Sequence, residues 1–304
     1  MGPTAAGKTA AAFALVDRLP VELISVDSAQ VYRGLDVGSA KPDAETLARY
    51  PHALLDIRDP EETYSAADFA TDAEAEIRRV HEAGRWPVLV GGTVLYYRAL
   101  LYGLDAMPAA DPALRERIAA EARSNGWASL HAELAAADPA AAAAIRPADR
   151  QRIQRGVEIL RLTGQGPSAW RVGNRLPRLD TLRLVLTPRD RHVLHQRIEQ
   201  RYDAMLEQGF IDEVRRLRQR RALTADHASM KSVGYRQVWS LLSGNCDPAT
   251  CRLRALAATR QLAKRQLTSL RGMGGTLWHD SMQNRTIEMI LRQVGDFFAH
   301  AAAD

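Results

Sequence analysis

Residues 2–9 read GPTAAGKT, a full match to the pattern G-x-x-x-x-G-K-[ST]. In a loop of this kind Gly2 and Gly7 allow backbone conformations and close approaches that a side chain would block. The N–H groups of the segment Gly2, Pro3, Thr4, Ala5, Ala6 and Gly7 then turn inward onto phosphate oxygens, proline excepted. Lys8 adds a point charge and Thr9 a hydroxyl suited to Mg²⁺. The helix beginning at Thr9 offers its positive end to the same anion. The pattern predicts a diphosphate- or nucleotide-binding loop and does not name the ligand. A second candidate is Asp27, in VDSAQVYRG (26–34). It closes an apolar run, which predicts a position at the carboxyl edge of a sheet beside the phosphate loop. A carboxylate there can bind Mg²⁺, act as a general base, or simply cap a helix. Thr93, in GGTVLY (91–96), follows another apolar run and is expected at the same edge.

These residues need a scaffold, and the flanking sequence supplies one. VELISVD (21–27), HALLDI (52–57) and PVLVGG (87–92) read as buried strands, with helical stretches near 9–19, 43–50 and 65–83 between them. Strand–helix alternation predicts an α/β fold with a P-loop-containing parallel sheet flanked by helices. Composition changes near Met107-Pro108 to an Ala/Arg-rich helical stretch, and GQGPSAWRVGNRLPR (164–178) reads as a loop. TLRLVLTP (181–188) is again a strand. Residues 109–180 are therefore expected to form a helical insertion domain, with 1–108 and 181–304 forming the α/β core. Long helices are expected over 190–219 and 248–271, a short strand near TLWH (276–279) and a closing helix over 285–300. A phosphate loop ordinarily follows a strand, yet only Met1 precedes Gly2. The expectation is that this first strand is missing from the sequence as written.

Charge is distributed unevenly. The 304 residues carry 41 Lys/Arg and 36 Asp/Glu, a formal +5. Residues 1–110 have a net charge of −6 and residues 111–304 a net of +11. A basic half joined to an acidic one suggests an anionic partner such as nucleic acid for the former. Lysine occurs only at Lys8, Lys41, Lys231 and Lys264. Cys246 and Cys251 form no disulfide scaffold and suit a reducing cytoplasm. No apolar run approaches a membrane span, and Lys8 and Asp17 argue against a signal peptide. Hydrophobic residues at 46% and charged residues at 25% exclude a disordered, collagenous or coiled-coil chain.

GPTAAGKT, SVDSAQVYRG, SAKP (39–42), LLDIRDPEETYSAADF (54–69), LVGGTVLYYRALLYGL (89–104), VGYRQVW (233–239) and TRQLAKRQLTSLR (259–271) occur here in that order. In this the chain resembles the bacterial tRNA dimethylallyltransferases over nearly its whole length. It departs from them at the N-terminus, where members usually have about 10–16 further residues. The resemblance implies that residues 2–9 bind the diphosphate of dimethylallyl diphosphate, with Mg²⁺ near Thr9. It implies that Asp27 takes the proton from the exocyclic amine of the adenosine 3′ of the anticodon, and that Thr93 faces the reaction channel. Positioned bases of this kind contribute about 10²–10⁴-fold. Asp27, Ser28, Ala29 and Gln30 would line the entrance through which the flipped base arrives, Gln30 being a base-reading candidate.

Contacts to the tRNA anticodon stem-loop are implied for Arg115 and for the segment Gln151, Arg152, Ile153, Gln154 and Arg155. The same holds for Lys231, Ser232, Val233, Gly234, Tyr235 and Arg236. A last segment comprises Lys264, Arg265, Gln266, Leu267, Thr268, Ser269, Leu270 and Arg271. Most of these should hold phosphate and set register rather than read bases; Tyr235 could stack on a base, but an aromatic in a helical segment is more often part of the core. One stem-loop per chain requires no second subunit, so a monomer is expected. Three other readings compete: a small-molecule or nucleoside kinase, an adenylate isopentenyltransferase, and a non-enzymatic RNA-binding ATPase. None of the first two gives the basic half and the helical insertion a task, and the third needs no base at Asp27.

Overall fold

The computed structural model describes residues 1–173 and 176–301. Asn174 and Arg175, in the Gly/Pro-rich loop, lie outside the described residues. The chain divides into two compact units, Met1–Leu101 with Leu179–Asp304, and Tyr102–Arg178.

In the larger unit, α1 (Lys8–Val16) leads to β1 (Val21–Val26), α2 (Ala44–Arg49), β2 (His52–Ala53), α3 (Ala66–Glu82), β3 (Trp86–Gly91) and α4 (Val94–Tyr102). β1 lies between β2 and β3 and pairs in parallel with both. Its run VELISV is buried at all positions but Glu22, as a strand covered on both faces must be. The turn into α3 is specified locally. The Ser65 hydroxyl accepts from the Asp68 N–H while the Asp68 carboxylate accepts from the Ser65 N–H, a reciprocal cap. The strand expected over 52–57 stops at Ala53, because Leu54 and Asp56 take positive φ values of 65° and 54°.

The smaller unit is helical: α5 (Pro112–Asn125), α6 (Trp127–Ala137), α7 (Pro139–Ala143), α8 (Arg150–Thr163) and a 3₁₀ turn at Pro167–Trp170. Asp111, Asp138 and Asp149 cap the starts of α5, α7 and α8, and Pro112 and Pro139 take the first helical turns. Ile118, Leu134, Ile153 and Val157 interdigitate as its core.

The α/β unit resumes with β4 (Arg183–Thr187), α9 (Arg191–Glu207), α10 (Phe210–Leu217), α11 (Tyr235–Leu242), α12 (Pro248–Arg271), β5 (Thr276–Asp280) and α13 (Thr286–Ala301). β4 and β5 pair in parallel as a second, two-stranded sheet. The helix expected over 190–219 is two helices. Gly209 adopts φ 88°, a left-handed conformation that a glycine tolerates and that ends α9 and starts α10. An apolar cavity of about 310 Å³ is lined by β3 residues Val88 and Leu89, β4 residues Leu184 and Leu186, and Ile290 and Phe298 of α13. Met1 is seated on β4 beside it: its amino nitrogen donates to the Leu184 carbonyl at 2.7 Å, and its carbonyl accepts from the Leu186 N–H at 2.9 Å. Among the described residues no helix is long and apolar enough to cross a membrane.

Candidate active site

The glycine-rich loop wraps from β4 into α1. A Cβ on Gly2 would lie 2.2 Å from the Leu186 carbonyl oxygen, so only glycine permits this approach. Ala5 has φ 60°, and Gly7 caps α1 in the left-handed region. The Lys8 ammonium folds back to donate to the Pro3 carbonyl at 2.7 Å. Burial chiefly, then the charge of Arg201, pulls Lys8 from its ordinary 10.5 down to about 8, with Asp27 acting in the opposite direction. The loop is tied to the sheet by Gln266: the Thr4 N–H donates to Gln266 Oε1 at 3.1 Å, and Gln266 Nε2 donates to the Gly92 carbonyl at 2.8 Å.

Asp27 follows the last residue of β1. Its Oδ1 accepts from the N–H groups of Ala29 and Gln30 at 2.9 and 3.3 Å, which fixes the carboxylate while leaving Oδ2 outside those two bonds. Thr93 follows β3. Its Oγ1 accepts from the Ser28 N–H at 3.1 Å and lies 3.3 Å from the Ser28 hydroxyl, so the two strand ends are stitched together.

A cavity of about 550 Å³ gathers these pieces. Thr4, Ala5, Lys8 and Thr9 line one side, and Asp27, Ser28, Ala29, Gln30 and Thr93 another. Lys231, Ser232, Val233 and Gly234, with Arg265, Gln266 and Ser269 of α12, complete the basic side. Ala6 and Gly7 instead face a neighbouring cavity of about 500 Å³ toward Arg197 and Arg201 of α9. The Thr9 hydroxyl and the Asp27 carboxylate are hard oxygen donors lining one space with Lys8, a donor set that suits Mg²⁺ held together with phosphate oxygens.

Several sequence-predicted residues do other things. Gln30 spends its amide inside the protein: Nε2 donates to the carbonyls of Ser39 and Ala40, both at 3.2 Å, and Oε1 lies 3.4 Å from the Ser25 hydroxyl. Ile153, Tyr235 and Leu270 are fully buried, so their side chains pack the core rather than meeting RNA. Arg115, Gln151, Arg152, Gln154 and Arg155 belong to the helical unit. There Arg115 grips buried Glu158 with Nε and Nη2 at 2.8 and 3.0 Å, and Arg155 Nη1 reaches the same carboxylate at 2.5 Å. Burial raises the Glu158 carboxyl, but hydrogen bonds from Arg115, Arg155 and the Asp111 N–H hold it below the ordinary value. Arg152 is exposed and 3.5 Å from Asp149. Arg236, Lys264, Leu267, Thr268 and Arg271 do not line the cavity.

Arg201 is a site residue that the motifs miss. Its Nη2 donates to the Ser39 carbonyl at 3.3 Å, and its buried Nε has no partner among the described residues. Burial lowers its pKa while Asp27 acts to raise it. The available signal was its i, i+4 spacing from Arg197 on a helix that follows a resumed strand.

A loop fitted to anions, a carboxylate and a hydroxyl at adjoining strand ends, and a basic rim define a transferase-like cavity in an α/β protein. The profile of the IPP transferase family matches residues 30–273, and the chain belongs to that family. It is 57% identical over 287 residues to the tRNA dimethylallyltransferase of Stenotrophomonas maltophilia K279a, covering 92% of this chain and 90% of that protein. It is 54% identical over 301 residues to the enzyme of the same name from Thiobacillus denitrificans, covering 97% and 96%. Among solved structures, the full-length tRNA isopentenylpyrophosphate transferase of Bacillus halodurans is 38% identical with a TM-score of 0.69, covering 98% of this chain and 94% of that one. A eukaryotic dimethylallyltransferase caught acting on tRNA is 26% identical with a TM-score of 0.79, covering 98% and 78%.

Proposed function

We propose that the chain transfers a dimethylallyl group from dimethylallyl diphosphate to tRNA, at the exocyclic amine of the adenosine 3′ of the anticodon. This reading is supported by Thr4, Ala5, Lys8 and Thr9 of the loop lining one cavity with Asp27 and Thr93, in a chain of the IPP transferase family. The adenine amine attacks the allylic carbon, the bond from that carbon to the diphosphate oxygen breaks, and Asp27 accepts the amine proton. Fixed by two backbone N–H groups, the carboxylate is aimed before the base arrives. Charge developing on the leaving diphosphate falls onto the loop N–H groups, Lys8 and Arg201. Thr93, held against Ser28, orients the amine or the bridging oxygen. Mg²⁺, held by the Thr9 hydroxyl and the phosphates, would add Lewis-acid stabilisation of the same charge.

The basic residues lining the cavity and those of α12 would hold the anticodon stem-loop, with one monomer serving one stem-loop in the cytoplasm. Offering the protein ATP and dimethylallyl diphosphate separately tests the reading against a kinase: diphosphate release from the prenyl donor only with tRNA present supports it, and transfer of the ATP γ-phosphate contradicts it.

A further inference from the structure

Glu213, on α10, is a carboxylate with 3% exposure, and its charge is met by neutral donors. Oε2 accepts from the N–H groups of Asp36 and Val37 at 3.1 and 2.6 Å. Oε1 accepts from the Gly38 N–H at 3.2 Å and the Tyr235 hydroxyl at 2.6 Å. Polar oxygens so deeply buried are costly unless hydrogen-bonded, and both oxygens of Glu213 are. The three consecutive N–H groups belong to one turn, so this carboxylate fixes the path of the backbone there. Phe210, one turn earlier on α10, lies against Gly38, where a Cβ would come within 2.0 Å of the ring.

One residue beyond Gly38, the Ser39 carbonyl accepts from Arg201 Nη2 at 3.3 Å and from Gln30 Nε2 at 3.2 Å. The far end is pinned by the buried Lys41 ammonium, which donates to the Tyr32 carbonyl at 3.0 Å and to Asp36 Oδ1 at 2.7 Å. The turn therefore connects Glu213 to a guanidinium whose buried Nε lacks a partner among the described residues.

We propose that Glu213 is a positioning residue: it sets the Ser39 carbonyl, and through it aims Arg201 at the diphosphate before the ligand arrives. The proposal rests on reading the loop at 2–9 with Arg201 as the diphosphate site. It differs from a purely structural role because its effect passes through Arg201, and a double-mutant cycle measures that dependence.

The probe is inorganic pyrophosphate with Mg²⁺, titrated calorimetrically into the unaltered chain, Glu213→Gln, Arg201→Ala and the double variant. Glu213→Gln is expected to weaken binding about tenfold when Arg201 is present and less than twofold in the Arg201→Ala background, the coupling of residues that act as one unit. Tyr235→Phe, a gentler change that keeps the carboxylate, is expected to weaken binding about threefold with the same dependence on Arg201; it serves if Glu213→Gln fails to fold. Equal losses in both backgrounds, with the unaltered chain binding normally, would overturn the positioning role alone. No pyrophosphate binding by the unaltered, folded chain would overturn the diphosphate reading itself, and the proposal with it.

Discussion

The amide of Gln266 joins Thr4 to Gly92, accepting from the Thr4 N–H at 3.1 Å and donating to the Gly92 carbonyl at 2.8 Å. A residue 262 positions away from Thr4 thus holds the glycine-rich loop against the end of β3. The resemblance placed Gln266 in an RNA-contacting segment; the geometry shows it fixing the loop proposed to receive the diphosphate. Replacing it with leucine removes both bonds at similar volume. Gln266→Leu is expected to raise the KM for dimethylallyl diphosphate about tenfold, the scale of two modest hydrogen bonds. Steady-state kinetics with each substrate varied in turn checks this, and an unchanged donor KM would count against the clasp.

Lys8 gives the binding step a pH dependence. Its pKa of about 8 in the free protein lies below the ordinary 10.5, so the ammonium is lost as pH rises through 8. A diphosphate needs that charge. Affinity is therefore expected to be level below pH 7 and to fall by up to about tenfold per unit above pH 8, as one proton must be taken up on binding. Calorimetry in buffers of different ionisation enthalpy would reveal that uptake. The linked effect on folding has the opposite sign: between the folded and unfolded values the unfolded chain holds more protons, so this group contributes stability that grows with pH across that window.

Two arginines of the helical unit should behave differently despite their neighbouring assignments to RNA binding. Arg115 bonds Glu158 through two nitrogens, and Glu158 is fully buried. Arg115→Ala strips a buried carboxylate of one partner and is expected to lower stability by about 2 kcal/mol, less than the full loss because Arg155 remains. Arg152 pairs at the surface with Asp149, and its removal should change stability by less than about 0.5 kcal/mol. Urea denaturation of both variants compares them directly.

Arg271, at the exposed end of α12, is suited to a phosphate contact. Arg271→Ala should weaken all tRNA substrates alike and reduce the slope of log affinity against log salt by about 1. Filter-binding titrations over a range of salt concentrations give that slope. A loss confined to one tRNA sequence would mean base reading instead.

The strands that carry Asp27 and Thr93 were legible because continuous apolar runs ending in polar or glycine residues are distinctive of a buried parallel sheet. The loop at 2–9 was legible because its glycines and lysine have fixed spacing. Arg201 was barely so: among many arginines its one mark is the i, i+4 spacing from Arg197, and its partner, the Ser39 carbonyl, is brought to it by the fold. Gln30 looked free to read a base, but two backbone carbonyls 9 and 10 residues along the chain claim its amide. The break at Gly209 was hidden by helical periodicity that continues on both sides, and only the left-handed backbone reveals it. Tyr235 sat in a basic segment, yet its ring is buried with its hydroxyl on Glu213.

In the proposed reaction Asp27, which lines one cavity with Lys8 and Thr9, deprotonates an adenine amine during prenyl transfer. The most direct measurement is mass spectrometry of nucleosides from unmodified tRNA incubated with dimethylallyl diphosphate, Mg²⁺ and either the unaltered chain or Asp27→Ala. The expected result is a dimethylallyl adenosine from the unaltered chain and a yield lower by about 10²–10⁴-fold from Asp27→Ala, with tRNA binding kept within a few-fold. No prenylated adenosine from the folded, unaltered chain, or undiminished transfer by Asp27→Ala, would contradict it.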